Sequence, residues 1–187
     1  MSIHALQGPI ALIPGHKVPD LNLSTADGGS WDLQKNAGEN FTLLTFYRGY
    51  HCPKCREQLQ DLQSQLAEFE ATGTRVVGVS MDPQDRAEKS VKDWEVDKVT
   101  IGYGLTADEA KAWGLHMSSS RGKTSVGVEE LKVFNEPGLF LIRSDGTLYA
   151  SWVQTVPFGR SKAADLVSMI KFVLDKDYPP RGTLVEG

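Results

Sequence analysis

Two cysteines, Cys52 and Cys55, carry the most reactive chemistry in this sequence, and they are the only cysteines among its 187 residues. They stand three positions apart, directly after an apolar run and at the start of a segment with helical periodicity. Unpaired backbone N–H groups stabilise a thiolate at a helix N-terminus. Two thiols one helical turn apart can also close a disulfide. The spacing therefore predicts a thiol–disulfide redox centre in which Cys52 is the nucleophile and Cys55, one turn deeper, is the resolving thiol.

Three basic or titratable residues flank this pair and would add positive potential: Arg48, His51 and Lys54. His51 has two interpretations, because an imidazole can tune or shuttle protons for Cys52 or can stand as an exposed loop residue that shields it. Arg48 would either orient a peroxide or a substrate carboxylate, or pair with a surface acid, which is the more common arrangement. Arg160, at the start of the last predicted helix, is given no role.

Other chemistries lack the residues that they need. A zinc site needs about four ligands, and no second Cys pair or His cluster exists. A c-type haem site needs His after the second cysteine, where Arg56 stands. No phosphate-binding glycine motif is present. We therefore expect no bound cofactor, and an external thiol must reset the disulfide.

Composition narrows the class further. The formal net charge of −4 and the absence of a Lys/Arg cluster argue against nucleic-acid binding, and no apolar run is long enough to span a membrane. Residues 1–14 lack the pattern of a secretory signal. A single disulfide cannot form the structural framework of a chain of this size, so we expect the two cysteines to be catalytic. We therefore predict that the protein is located in the reducing cytoplasm. We predict one domain over residues 1–187, with residues 1–15 as a loop-like lead-in.

The elements around the cysteines alternate between strand and helix patterns. Apolar and β-branched runs predict strands, alternation at helical spacing predicts helices, and Asp-Gly turns predict hairpins. A hairpin is predicted around residues 27–29, and a Ser/Gly-rich loop, expected to be mobile, over residues 117–128. The predicted strands are 41–47, 75–80, 101–103, 138–142 and 147–154, and the predicted helices are 53–73, 83–94, 106–113 and one that Ser161 caps. This order predicts an α/β fold with a mixed central sheet, helices on both faces and an N-terminal β-hairpin extension. The cysteines lie at the carboxyl end of the first central strand.

With these residues in place, the chain resembles a thioredoxin-fold protein, and most closely the peroxiredoxin-like branch of the alkyl hydroperoxide reductase/thiol-specific antioxidant (AhpC/TSA) family. The similarity rests on residues 14–20, 46–55 and 137–142, with Asp145-Gly146, and extends over residues 15–177. It implies a thioredoxin-like fold and an antioxidant oxidoreductase. It also implies a peroxide or disulfide substrate, a reductant such as thioredoxin or glutathione, and a possible homodimer.

The sequence departs from that family at informative positions. The family typically has Pro and Thr/Ser seven and three residues before its reactive cysteine, where this chain has Thr45 and Gly49. The family's Arg before the Gly-Leu-Phe strand is replaced by Pro137, which resembles the cis-Pro of thioredoxins. Three hypotheses stay open: a peroxidase, a protein disulfide reductase, and a redox-sensing binding module without turnover. Cys52 would be oxidised to a sulfenic acid in the first and would form a mixed disulfide in the second.

Overall fold

Strand β3 (Phe41–Phe46) is an interior strand of the main sheet, and all six of its residues are buried. It pairs in parallel with β4 (Thr74–Val79) and antiparallel with β8 (Gly138–Arg143). A strand that is buried on both faces is nearly continuous in apolar and β-branched residues, which is why the pattern of residues 41–47 predicted this strand. The structure is a computed structural model, and it describes residues 9–185.

The sheet is mixed, as the sequence predicted. Besides β3, β4 and β8, the described strands are β1 (Asn22–Thr25), β2 (Ser30–Asp32), β5 (Thr100–Tyr103), β6 (Met117–Ser119), β7 (Val133–Asn135) and β9 (Leu148–Val153). The strand order in the main sheet is β2-β1-β5-β4-β3-β8-β9, and a separate two-stranded sheet pairs β6 with β7. The predicted hairpin is β1–β2, and β1 also pairs with β5, so that the hairpin lengthens the sheet.

Helices cover both faces of the sheet. They are α1 (Pro53–Ser64), α2 (Leu66–Ala71), α3 (Gln84–Asp93), α4 (Ala107–Ala112) and α5 (Ala163–Lys176). One buried cluster joins Leu43 and Leu141 of the sheet to side chains of α1, α2, α3 and α5. The other joins Leu44 and Phe46 to the N-terminal hairpin and to α4. The period of two along β3 sends alternate residues to opposite faces.

Three local predictions were wrong. The single helix over residues 53–73 is broken at Gln65, whose N–H bonds to Leu62 only three residues back and tightens the turn. Ser161 does not cap α5, because the N–H of Ala163 donates to Asp61 of α1 at 2.8 Å instead. The loop predicted over residues 117–128 begins with strand β6, because Met117–Ser119 finds a partner in β7. The capping box of Thr106 and Glu109 at α4 is confirmed.

The prediction of one domain over residues 1–187 stays a prediction, because residues 1–8, 186 and 187 lie outside the described part. The lead-in over residues 1–15 falls partly on those residues; the described portion, 9–15, contains no helix or strand. Within residues 9–185, no helix is long and apolar enough to cross a membrane.

Candidate active site

The chain leaves β3 and reaches α1 through a tight loop, residues 47–52, which we call the redox loop. Gly49 takes a φ of +133°, a conformation open to glycine, and its carbonyl accepts the N–H of Cys52 at 3.0 Å. Cys52 is the N-cap of α1, with extended dihedrals, and Pro53 follows in the first turn. The predicted placement of Cys52 at a helix N-terminus is therefore confirmed.

The two cysteines are joined in a disulfide, with their Cα atoms 5.3 Å apart. The Cys52 sulfur also accepts the N–H of Cys55 at 3.2 Å, as an N-cap side chain does. Both residues are buried, with exposed fractions of 1% for Cys52 and 0% for Cys55. The sulfur pair is thus close enough to cycle between thiols and disulfide, and it is shielded from bulk solvent.

The Cys55 sulfur has two further donors, and one of them comes from a distant residue. The main-chain N–H of Arg48 lies 3.4 Å from it, and Nη2 of Arg160 lies 3.3 Å from it. Arg160 is held by hydrogen bonds from Nε to Pro157 O at 2.7 Å and from Nη1 to Gln58. Burial lowers the pKa of Arg160 to about 10, so the guanidinium stays charged at neutral pH. Sequence reasoning missed this residue, which lies 105 positions from Cys55.

The Arg48 side chain pairs with two acids, as one of its two interpretations held, but these acids are buried and do not lie at the surface. Its Nε lies 3.1 Å from a carboxylate oxygen of Glu136, and its Nη2 lies 3.4 Å from one of Glu130. The guanidinium also covers the ring of Phe134 at 4.8 Å. These partners belong to β7 and its flanking loop, and both acids have side chains less than 10% exposed. Arg48 therefore fastens that segment to the redox loop, and only its main chain reaches a sulfur.

His51 is fully buried, so its interpretation as an exposed loop residue was wrong. Its ring packs edge-on against Phe134, with the centroids 4.7 Å apart. Neither ring nitrogen has a hydrogen-bond partner among the residues that the structure describes. Burial, followed by the charge of Arg48, lowers the pKa of His51 to about 4. The imidazole is consequently neutral at pH 7, outside the pH range where a proton shuttle works best.

Lys54 is half-buried and pairs with Glu57 at 2.7 Å, and it makes no hydrogen bond to either sulfur. Its contribution of positive potential to the cysteines stays a prediction. The peptide bond before Pro137 is trans, since residues 9–185 contain no cis peptide, and the predicted cis form was wrong. Pro137 joins two extended strands, β7 and β8, where no chain reversal is needed and the trans form is the preferred one. It stands beside the end of β3, because Gly138 pairs with Phe46.

A buried acid under the redox loop also escaped the sequence reasoning. Asp82 follows β4 and is 0% exposed. Its Oδ2 accepts the N–H of Tyr50 at 2.7 Å. Burial is the main cause that raises the pKa of Asp82 to about 6. The Asp-Pro pair had indicated only the start of a helix, and nothing in the local pattern indicated the contact with Tyr50.

No group of three His, Cys, Asp or Glu side chains within residues 9–185 is arranged to hold a metal ion. The chemistry that these residues offer is that of the two thiols, with an arginine and the helix N-terminus as the nearby electropositive groups.

Comparison with known proteins identifies the family of this chain. The AhpC/TSA family matches residues 14–151, which is most of the chain, and the chain belongs to that family. It is therefore an oxidoreductase of the thiol-peroxidase class.

Individual relatives carry peroxiredoxin names. A Mycobacterium tuberculosis protein named as a peroxiredoxin is 31% identical over 122 residues, which cover 63% of this chain and 74% of the relative. Peroxiredoxin Bcp of Xanthomonas campestris is 26% identical over 146 residues, 77% of this chain and 85% of the relative. The crystal structure of peroxidoxin BcpB from M. tuberculosis superposes with a TM-score of 0.69 at 18% identity, covering 87% of this chain and 98% of that one. That last likeness confirms the thioredoxin-like fold.

Proposed function

We propose that the chain reduces peroxides through Cys52, with Cys55 as the resolving thiol. The Cys52 thiolate attacks a peroxide oxygen, the O–O bond breaks, and the leaving alkoxide or hydroxide takes up a proton. Cys52 is then a sulfenic acid. The Cys55 thiolate attacks the Cys52 sulfur, the disulfide forms, and the departing hydroxide leaves as water. An external dithiol, or two small thiols, then reduces the disulfide and is itself oxidised.

The AhpC/TSA family match, together with the cysteine pair at the start of α1, is the observation that carries this proposal. Both sulfurs are buried in the disulfide form, so a thiol or disulfide of another protein reaches them only after the site opens. A peroxide group is only two oxygen atoms long and needs a much smaller opening. The trans peptide before Pro137 also removes one feature that favoured the disulfide-reductase hypothesis.

The donors around the two sulfurs support the proposed order of events. Cys52 has the helix N-terminus, which favours its ionised form. Cys55 has the Arg160 guanidinium and the Arg48 N–H, which stabilise its thiolate when it attacks Cys52. The same donors stabilise Cys55 as the leaving group when a reductant thiol attacks Cys52.

One observation favours the reverse assignment of the two thiols. The only side-chain cation in contact with a sulfur within residues 9–185 is Arg160, and it contacts Cys55 rather than Cys52. A guanidinium beside a thiolate also polarises a peroxide oxygen as the O–O bond breaks. In this second candidate, Cys55 attacks the peroxide and Cys52 resolves.

Stopped-flow oxidation of the reduced protein by hydrogen peroxide separates the two assignments. If Cys52 attacks, Cys55→Ser retains a fast first step and stops at a sulfenic acid, whereas Cys52→Ser loses the fast step. The reverse pattern supports the second candidate. A wild-type rate no greater than that of free cysteine would contradict peroxidase function under either assignment. A wild-type protein that reacts once, but does not turn over with a thioredoxin or glutathione recycling system, would be the redox-sensing module instead.

The partners follow the same proposal. We propose a peroxide as substrate, a thioredoxin-like protein or glutathione as reductant, no bound cofactor, and no nucleic-acid partner. The cytoplasmic location and the homodimer stay predictions, which cell fractionation and sedimentation analysis test.

A further inference from the structure

Asp82 keeps a buried carboxyl group without a cationic partner. Asp82 is 0% exposed, and its Oδ1 atom has no hydrogen-bond partner among the described residues. No cation within residues 9–185 forms an ion pair with it. The nearby Arg86 directs its Nη1 to the carbonyl of Glu129 at 2.8 Å instead. A buried carboxylate without a cationic partner lowers the stability of the fold.

The groups that face the carboxyl come from three directions. Helix α3 contributes Arg86 and Asp85, and the redox loop contributes the buried Tyr47 side chain and the Tyr50 N–H. On its own segment, Ser80 accepts the main-chain N–H of Asp82. Only the bond with Tyr50 ties the carboxyl directly to the redox loop.

The redox loop is shaped to approach this carboxyl. A β-carbon added at Gly49 would lie 2.8 Å from Asp82 Oδ1, so a larger residue would separate the two. Oδ2 holds the next residue through the 2.7 Å bond from Tyr50 N–H. The carbonyl of Gly49 in turn accepts the N–H of Cys52. One carboxyl thus holds the turn that sets Cys52 at the N-terminus of α1.

We propose that Asp82 is a positioning residue that favours the Cys52–Cys55 disulfide over the two thiols. It holds the turn that brings the Cys52 sulfur to Cys55, and its negative charge behind the loop disfavours the thiolates of the reduced form. Both effects favour the disulfide. The turn brings the two sulfurs together, and the uncharged disulfide is not repelled by the carboxylate as a thiolate is. The inference rests on the disulfide cycle of the proposed function and not on the identity of the oxidant.

The effect should depend on pH in a defined way. Burial raises the pKa of Asp82 to about 6, so the carboxyl is ionised at pH 8 and mostly protonated at pH 5. Protonation removes the charge and weakens the bond from Tyr50, since a charged acceptor makes the stronger hydrogen bond. The preference for the disulfide contributed by Asp82 is therefore present above pH 6 and fades below it.

The test is the equilibrium between the protein and dithiothreitol, in wild type and in Asp82→Asn. The two thiols of the protein and oxidised dithiothreitol exchange with the protein disulfide and reduced dithiothreitol, so that electrons balance. At pH 8 we expect Asp82→Asn to lower the equilibrium constant for disulfide formation about tenfold, which is a rise in potential of about 30 mV. At pH 5, equilibrated with a selenol catalyst, most of the difference should disappear. Asp97→Asn, which removes one exposed charge, is the matched control.

Thermal unfolding of the same variants separates positioning from a general structural role. Asp82→Asn removes a buried charge, so at pH 8 its melting temperature should equal or exceed that of the wild type. An unchanged equilibrium constant would overturn the inference, and so would a fall that comes with a matching loss of stability.

A second measurement needs no variant. In the disulfide form neither cysteine titrates, so the Tyr50 amide resonance should shift with a midpoint near pH 6. A Tyr50 resonance that does not titrate would overturn the inference. The peroxide assay is independent of this test. If the wild type reduces peroxide no faster than free cysteine does, the proposed function is wrong. If Asp82→Asn still shifts the dithiothreitol equilibrium in that case, the role of Asp82 is supported.

Discussion

The two faces of the central sheet bury different kinds of side chain. On the face opposite the redox centre, Phe46, Trp113 and Phe140 form a triad with ring centroids 5.2–5.6 Å apart. On the redox side, the positions just beyond β3 and β4 hold the buried polar groups of His51 and Asp82. Phe46 and Tyr47 are neighbours in the chain, yet the alternation of the strand places them in different clusters.

The aromatic side chains stabilise the fold, whereas the buried polar side chains lie beside the redox centre and lower its stability. Packed aromatic rings gain burial and contact energy and carry no charge, although the indole N–H of Trp113 is also buried without a partner among the described residues. His51 and Asp82 are buried without full hydrogen-bond pairing, which works against stability. Groups of that kind concentrate at functional sites. We therefore expect substitutions on the two faces to separate stability from redox reactivity.

The largest stability effect should come from the aromatic triad. Phe140→Ala leaves a cavity between Phe46 and Trp113 and should lower the free energy of unfolding by about 3–5 kcal/mol, as measured by urea denaturation. The rate of peroxide reduction per folded molecule should stay within about twofold, because the triad and the two cysteines belong to different buried clusters. Phe172→Ala, at an exposed position of α5, is the control. A large loss of reactivity in Phe140→Ala would mean that the two faces are coupled.

On the redox side, the buried His51 should make the fold less stable at low pH. The unfolded chain protonates His51 below its ordinary pKa of 6.5, whereas the folded chain does so only below about 4. Since the unfolded state binds the proton first, stability falls as the pH drops from 6.5 to 4, by about 3 kcal/mol for this residue. His51→Gln should lose that part of the acid dependence in urea titrations. His116→Gln should keep it, and an identical slope for wild type and His51→Gln would contradict the prediction.

The smallest effect should distinguish the two sulfurs within the redox side. Arg160→Met removes the guanidinium from Cys55 and should slow the step that uses the Cys55 thiolate about tenfold. It also leaves the buried Gln58 oxygen without its donor, so the free energy of unfolding should fall by about 1 kcal/mol. If Cys55 resolves, stopped-flow traces should show slower disulfide closure after a normal first oxidation. If Cys55 attacks, the first oxidation itself should slow. Arg181→Met, at an exposed arginine, should leave both phases unchanged.

The sequence by itself determined the features that depend on neighbours in the chain. Three features follow from periodicity or from contacts within four residues: the buried strand β3, the capping box at α4, and the place of Cys52 and Cys55 at the N-terminus of α1. These interactions are local, so their spacing is visible in one dimension.

Only the tertiary structure decided what surrounds the two sulfurs. Arg160 meets Cys55 across 105 positions, Asp61 caps α5 across 102, and Asp82 meets Tyr50 across 32. The physical reason is shared: each contact joins elements that are adjacent only after the sheet has formed, and no periodic pattern records a partner of that kind. The cysteine pair is therefore readable from the sequence, whereas the groups that tune it are readable only from the fold.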